Sequence, residues 1–163
     1  MPIYIARLPR DERGFPIPFF APTIDGKKSF AVSDSSKRLK CAKHRLCWIC
    51  GQRLSLLIAF VGGPRCVEIQ AFSDGPMHVD CAIYAVKVCP WMALPEYKKR
   101  MFEHLGDPDS VIEPKKPDMN AVCITNGFKV TTGKNWVFIP FTILDIQWWK
   151  DGVRQEKFTS KDP

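Results

Sequence analysis

Two short pairs of metal-ligand residues constrain this chain more than any other feature. Two residues separate Cys47 from Cys50, just before a glycine. His78 and Cys81 repeat that spacing after 27 further residues. The first pair predicts a tight knuckle with both sulfurs directed at one point. The second pair, in the first turn of a helix, projects from one helix face. Three thiolates and one imidazole suit a closed tetrahedral zinc site, so we predict one structural Zn²⁺ on these four residues.

The other cysteines give weaker signals. The chain has seven cysteines and no secretory signal, which argues against a disulfide framework. Cys41 and His44 have the same spacing and lie just upstream, so they form a competing pair or half of a second site. The remaining candidate partners show no paired spacing: we expect Cys66 and Cys89 to pack around the first site and Cys123 to lie in a strand.

The segment between the two pairs predicts a β-hairpin followed by a helix. Leu54–Val61 is a short apolar run, and Cys66–Phe72 alternates apolar and polar residues, with turn residues between them. Pro76–Val88 contains no helix breaker after its first residue. A knuckle, a hairpin and a helix in this order are typical of a treble-clef zinc finger. We therefore predict an α+β fold organised around a finger of this kind.

The flanking regions predict additions to this finger. Residues 1–40 are expected to form a basic β or extended segment over Ile3–Leu8, Ile17–Thr23 and Phe30–Ser33, with a hairpin turn at Asp25-Gly26. Residues 41–106 form the finger core with a second helix over Leu94–Leu105, and the proline-rich residues 107–120 form a linker. Residues 121–163 are expected to form a small antiparallel sheet packed on the core, with strands over Ala121–Thr125, Phe128–Thr132, Trp136–Phe141 and Ile143–Trp149.

The net charge of +7 lies entirely within residues 1–56, which hold eleven lysines and arginines against four acidic residues. Such asymmetry predicts an anionic partner, either nucleic acid or an acidic host protein. The candidate nucleic-acid-binding residues are Lys37, Arg38, Lys40, Lys43, Arg45 and Arg53. A solvated basic loop that only aids solubility is the alternative. Trp48, inside the knuckle, is either a base-stacking residue or an apolar plug beside the metal.

A protein-interaction module is the second functional hypothesis. Trp148 and Trp149 are adjacent in a predicted strand, and aromatic residues are enriched at interface cores. Adjacent strand residues point to opposite faces, so one of the two is exposed unless the sheet is covered on both sides.

Enzymatic and membrane functions are disfavoured. A metal-dependent nuclease of the HNH type needs a histidine in the hairpin, and Leu54–Phe72 contains none. Zinc deaminases need H-x-E, whereas Val79 and Asp80 follow His78. Four protein ligands leave no open metal position, and no small-molecule substrate is evident. The longest apolar run is too short to cross a bilayer, and arginines interrupt the N-terminal residues, so we expect a cytoplasmic protein.

Several segments resemble a family of small, largely uncharacterised zinc-finger-like proteins from actinobacterial phages and prophages. The similarity lies in residues 1–14, Leu46–Gly51, 59–66 and 76–91, and it returns faintly in 147–152. By position, the resemblance implies that Cys47, Cys50, His78 and Cys81 are the ligands, with Cys41 and His44 outside the motif. It also implies a phage-encoded protein that acts on host machinery or nucleic acid in the host cytoplasm.

Overall fold

A computed structural model of the chain describes residues 1–94, 116–131 and 137–156. The helices in this part of the chain are α1 (Ile3–Ala6), α2 (Ser35–His44), α3 (Pro64–Ile69), α4 (Val79–Val88) and α5 (Pro90–Ala93). The strands are β1 (Thr23–Ile24), β2 (Lys27–Lys28), β3 (Ile58–Gly62), β4 (Met77–His78), β5 (Asn120–Thr125), β6 (Phe128–Val130), β7 (Phe138–Pro140), β8 (Ile143–Lys150) and β9 (Val153–Gln155). Most of the helix expected over Leu94–Leu105, and residues 107–115 of the expected linker, lie outside the described residues.

A five-stranded antiparallel sheet organises the fold, in the order β4-β3-β5-β8-β9. Strand β3 lies inside the sheet because its first four residues are all apolar and buried. It pairs with β5 over five positions, with Phe60 opposite Cys123. The strands predicted over Ala121–Thr125 and Ile143–Trp149 are confirmed: β5 lies beside β3, and β8 lies beside β5. Strands β5, β8 and β9 therefore complete the sheet that carries His78, whereas β6 and β7 form a separate pair.

The hairpin predicted between the two ligand pairs is wrong in its second strand. The residues after Gly62 form helix α3, and the outer partner of β3 is the short strand β4. Pro64 occupies the first helical position, where its fixed φ favours a helix and its missing N–H costs nothing. The helix expected from Pro76 begins later, at Val79, because Met77–His78 pairs with β3 first.

The N-terminal segment is more helical than expected. The Asp25-Gly26 hairpin is confirmed: both residues have positive φ, and they join β1 to β2. Ile3–Ala6 forms one helical turn, so the extended conformation predicted over Ile3–Leu8 is wrong. The basic stretch forms α2, which runs across the expected boundary between residues 40 and 41. The Asp34 side chain caps this helix by accepting hydrogen bonds from the N–H groups of Ser36 and Lys37 at 2.9 and 3.2 Å.

Two apolar clusters cover opposite faces of the sheet. Because successive strand residues alternate between faces, Ala59 and Val61 of β3 face the cluster that includes α4 and the ligand cysteines. Ile58 and Phe60 face a second cluster, which we call the phenylalanine cluster. Its aromatic members are Phe60, Phe72, Phe128 and Phe138.

Phe60 lies at the centre of the phenylalanine cluster. Its ring centroid is 5.2 Å from that of Phe72, 5.9 Å from that of Phe128 and 6.0 Å from that of Phe138. Phe72 and Phe138 also exchange two backbone hydrogen bonds of 2.9 Å, which tie the segment after α3 to the β6–β7 hairpin. The cluster thus joins the central and C-terminal parts of the chain.

Across the residues that the structure describes, no helix has both the length and the apolar character needed to cross a bilayer.

The C-terminal strands depend on the central part of the chain for their packing, which gives a first prediction. The isolated fragment 107–163 should be unfolded, because β5 would lose its partner β3 and the phenylalanine cluster would lose Phe60 and Phe72. A proton–nitrogen NMR spectrum of the fragment should show collapsed amide dispersion, whereas the full chain in the same buffer should show a dispersed spectrum. A dispersed spectrum that melts cooperatively would contradict the prediction and would indicate an independent domain.

Candidate metal centre

The first ligand pair lies on a tight knuckle closed by short-range backbone contacts. Leu46 and Arg53 form an antiparallel bridge, the Cys47 N–H donates to the Gln52 carbonyl at 2.7 Å, and the Gly51 N–H donates to the Cys47 carbonyl at 2.8 Å. Gly51 has a φ of 72°, and a Cβ at this position would lie 2.8 Å from the Phe19 ring. Both the conformation and the packing therefore require glycine here.

The second ligand pair lies on β4 and in the first turn of α4. His78 lies opposite Ile58 in the sheet and is the N-cap of α4, and Cys81 is buried in the first turn of that helix. The Trp48 N–H donates to the Pro76 carbonyl at 2.8 Å, which joins the knuckle directly to the segment that leads into β4. The two pairs meet because β3 positions β4 beside the knuckle.

The four side chains converge on one point. The ligand atoms of Cys47, Cys50, His78 and Cys81 all lie within 4.8 Å of one another. The His78 Nδ1 is 3.4 Å from the Cys50 sulfur and 3.9 Å from the Cys81 sulfur. Tetrahedral zinc, with bonds of about 2.0 to 2.3 Å, needs ligand atoms separated by about 3.5 to 3.8 Å. The spacing and the donor types both fit a zinc ion.

Hydrogen bonds around His78 orient the ring for a metal. Its Nε2 lies 3.0 Å from the carbonyl oxygen of Arg53, and because a carbonyl can only accept, Nε2 carries the proton. Whenever the ring is neutral, as it must be to bind a metal, its lone pair is therefore on Nδ1, which faces the sulfurs. The His78 backbone N–H also lies 3.5 Å from the Cys47 sulfur and donates to it.

The electrostatics of the three thiols favour a bound cation. Burial raises the pKa of Cys47, but hydrogen bonds from Cys50, Cys81 and His78 outweigh it, so its pKa falls well below the usual value. The hydrogen bond to Cys47 is the main reason that the pKa of Cys50 rises to about 11, and the pKa of Cys81 rises further. The hydrogen bond to Cys47 likewise raises the pKa of His78. Cys47 is therefore the most readily ionised of the three thiols, and a divalent cation would stabilise all three as thiolates.

The N-terminal segment covers this centre, a feature that the sequence did not reveal. The Tyr4 ring stacks on the His78 ring at 5.6 Å, and the Phe19 N–H donates to the Ile49 carbonyl at 2.7 Å. The Trp48 ring stacks on Phe20 at 5.0 Å and is only 1% exposed. Base stacking by Trp48 is therefore wrong, and the ring is an apolar plug in the core. Contacts across more than 70 residues, such as that of Tyr4, leave no local spacing signal.

Within the described residues, no second group of metal-ligating side chains forms, which goes against the alternative for Cys41 and His44. Cys41 is buried and His44 is exposed. Burial, followed by the nearby Cys47 and Cys50, raises the pKa of Cys41 to about 12. Burial also raises the pKa of Cys123 to about 12, and it raises that of Cys66. Thiols of this kind stay protonated and pack as small apolar groups.

The six basic candidates divide into two groups. Lys40, Lys43 and Arg53 are exposed, whereas the other three are half-buried. The half-buried side chains make internal contacts: Lys37 donates to the Ala21 carbonyl at 2.8 Å, Arg38 lies 5.7 Å from the Phe138 ring centroid and Arg45 lies 5.4 Å from that of Phe128. Burial lowers the pKa of Arg38, and Asp74 partly opposes the shift. This second group helps to pack α2 on the protein.

The two adjacent tryptophans point to opposite faces of the sheet, as predicted, and both faces are covered. Trp149 is 5% exposed and packs in the cluster that contains the ligand cysteines, with the Lys87 ammonium 5.2 Å from its ring centroid. Trp148 is half-buried against the phenylalanine cluster. Trp149 therefore offers almost no surface to a partner.

No protein-family model, curated protein or solved structure matches this chain.

The donor set and its spacing predict a stoichiometric metal. One zinc ion per chain should copurify with the protein, and Cys50→Ser or Cys81→Ser should reduce the content below about 0.2 per chain because a tetrahedral site with three ligands binds much more weakly. Elemental analysis measures this directly. The matched control is Cys66→Ser, a half-buried cysteine outside the cluster, which should keep its zinc. A zinc-free parent protein, or equal loss in the control, would contradict the assignment.

The raised thiol pKa values predict how zinc affinity depends on pH. Near pH 7 the cation-free cluster keeps protons on Cys50 and Cys81, so zinc binding must release both. The affinity should therefore rise by at least about a hundredfold per pH unit between pH 6.5 and 7.5, and it should fall more steeply on acidification, because His78, whose pKa is also raised, must release a proton as well. Competition against a chelator of known affinity at each pH gives the slope. A slope near zero would mean that the thiols are already ionised before zinc binds.

Proposed function

We propose that this chain is a non-enzymatic zinc-finger protein of the treble-clef type that binds nucleic acid through exposed cations on α2 and the knuckle. The observation that carries the proposal is the convergence of Cys47, Cys50, His78 and Cys81 within 4.8 Å, with basic residues on both sides of the knuckle. The zinc ion would hold these elements together rather than act on a substrate.

Two features support a structural role for the zinc. Four protein ligands complete a tetrahedron and leave no position for a reacting water. The chain order of knuckle, antiparallel β3–β4 pair and α4 also supports the treble-clef assignment, with α3 as an insertion between the two strands. No residue is assigned a catalytic role in this proposal.

The charge distribution supports nucleic acid as the partner. Helix α2 contains no acidic residue, and Lys40 and Lys43 extend from it into solvent. Arg53 adds an exposed guanidinium group on the second arm of the knuckle, while its backbone carbonyl accepts the His78 hydrogen bond. Exposed lysine and arginine side chains of this kind neutralise phosphates without reading base sequence. The phage or prophage origin implied by the resemblance, and action in a host cytoplasm, belong to the same proposal.

A protein-interaction module is the second candidate, and exposed apolar residues favour it. Leu144 on β8 is 54% exposed, Phe141 just before that strand is 59% exposed, and Ile146 is also exposed. Exposed apolar side chains that lie close together are a common feature of protein-binding surfaces. An acidic host protein that also contacts the basic residues of α2 would combine the two features.

Salt dependence tests the nucleic-acid proposal. Replacing Lys40, Lys43 and Arg53 together by serine should weaken binding to duplexes of any sequence alike, because phosphate contacts carry no sequence information. The slope of log affinity against log salt should become shallower by about 0.9 for each phosphate that the protein no longer neutralises. Fluorescence anisotropy of labelled duplexes measures both quantities. The titrations cover salt concentrations from about 25 to about 200 mM, where the salt dependence is large.

A matched control distinguishes the proposed surface from general charge. Arg65→Ser combined with Lys129→Ser removes two exposed cations from α3 and β6, and it should leave the slope unchanged. Zinc content should be the same in all variants because none of these residues is a ligand. If the parent protein binds neither duplex nor single-stranded nucleic acid at low salt, the nucleic-acid proposal fails and the protein-interaction module takes its place.

A further inference from the structure

The central sheet extends beyond the helix that covers it. Helix α4 packs on β3 and β5, while β8 and β9 continue the sheet on one side. Between the flank of α4 and these two strands lies a groove of about 520 Å³. Its lining residues are Ile83, Lys87, Gln147, Trp149, Gly152, Val153 and Arg154. The groove is open to solvent, and both apolar and charged residues line it.

The groove has a fixed shape because the β8–β9 turn packs against the end of α4. Gly152 has a φ of 77°, and a Cβ there would lie 3.3 Å from the Lys87 carbonyl oxygen. Trp149 and Arg154 are paired across β8 and β9, so their side chains share one face of the sheet. Ile83 and Lys87 are one helical turn apart on α4 and form the opposite wall.

The charge of the lining is one-sided. Lys87 and Arg154 are both exposed cations, and none of the acidic residues that the structure describes lines the groove. Asp145, an acidic residue on β8, accepts a hydrogen bond from the Gln147 amide at 3.1 Å. The chemistry of the lining therefore favours a negatively charged ligand.

One residue of the lining carries a buried hydrogen-bond donor. Trp149 is 5% exposed, and its indole Nε1 is buried without a hydrogen-bond partner among the described residues. Because this N–H belongs to a residue that lines the groove, its NMR signal reports on a ligand bound beside it.

We propose that this groove binds a small organic anion, with its carboxylate or phosphate between Lys87 and Arg154 and its apolar body against Ile83. The site is separate from the metal centre and from the basic face of α2. Because Lys87 lies over the Trp149 ring, the ring face is already covered, and the apolar part of the ligand contacts Ile83 on the opposite wall instead.

Titration of the zinc-loaded full chain with three probes tests this site. Octanoate carries both an anionic head and an apolar body, octylammonium reverses the charge, and inorganic phosphate lacks the body. Octanoate should saturably shift the assigned indole N–H cross-peak of Trp149 in a proton–nitrogen NMR spectrum. Octylammonium should give no saturable shift, and inorganic phosphate should bind at least about tenfold more weakly than octanoate.

Single substitutions locate the binding site. Arg154→Gln and Lys87→Gln each remove one charge from an exposed side chain and should weaken octanoate binding by about fivefold to tenfold. Arg65→Gln, an exposed cation on α3, is the matched control and should bind octanoate as the parent does. Absence of a saturable octanoate shift, or unchanged binding in both groove variants, would overturn the site. Equal binding of octanoate and inorganic phosphate would overturn the assignment of an apolar body.

Discussion

The crowding of three sulfurs and one imidazole within 4.8 Å is the constraint on which the centre of this protein depends. Without a cation, Cys47 ionises most readily and opposes the ionisation of Cys50 and Cys81. A bound zinc ion would turn the same closeness into a link between the knuckle and the start of α4. Neighbouring elements are too short to do this alone: β4 has two residues, and the N-cap of α4 makes no side-chain capping bond.

Strand β3 connects the segment around the metal centre to the rest of the fold. Its residues face alternately the cluster that contains the ligand cysteines and the phenylalanine cluster. One strand of five residues therefore contributes to both cores. Its edges pair with β4 on one side and β5 on the other, which places the ligand segment and the C-terminal strands in one sheet. The fold is thus assembled by pairing between segments that are about 60 residues apart.

Features encoded by close spacing are predictable from the sequence, and features that arise from distant pairing are not. Two residues between ligands are enough to define the metal cluster, and Asp25-Gly26 defines its hairpin because both positions tolerate positive φ. The pairing of β3 with β5 leaves no local trace, so the alternation in Cys66–Phe72 indicates a partner strand where the chain forms a helix. Helix α2 escapes prediction because it lacks an apolar stripe, although Asp34 and the breaker-free residues after it are a usable signal.

The N-terminal segment that covers the metal centre has a kinetic consequence. Tyr4 lies against the His78 ring and Phe19 against Gly51, so a competing ligand reaches the sulfurs only after this segment has moved away. Exchange of a bound metal would then require a local opening that breaks backbone hydrogen bonds and ring contacts before any metal–sulfur bond is replaced. A variant with the same zinc affinity but without these contacts would therefore lose its metal sooner. The first 20 residues of this chain would set the rate of metal release.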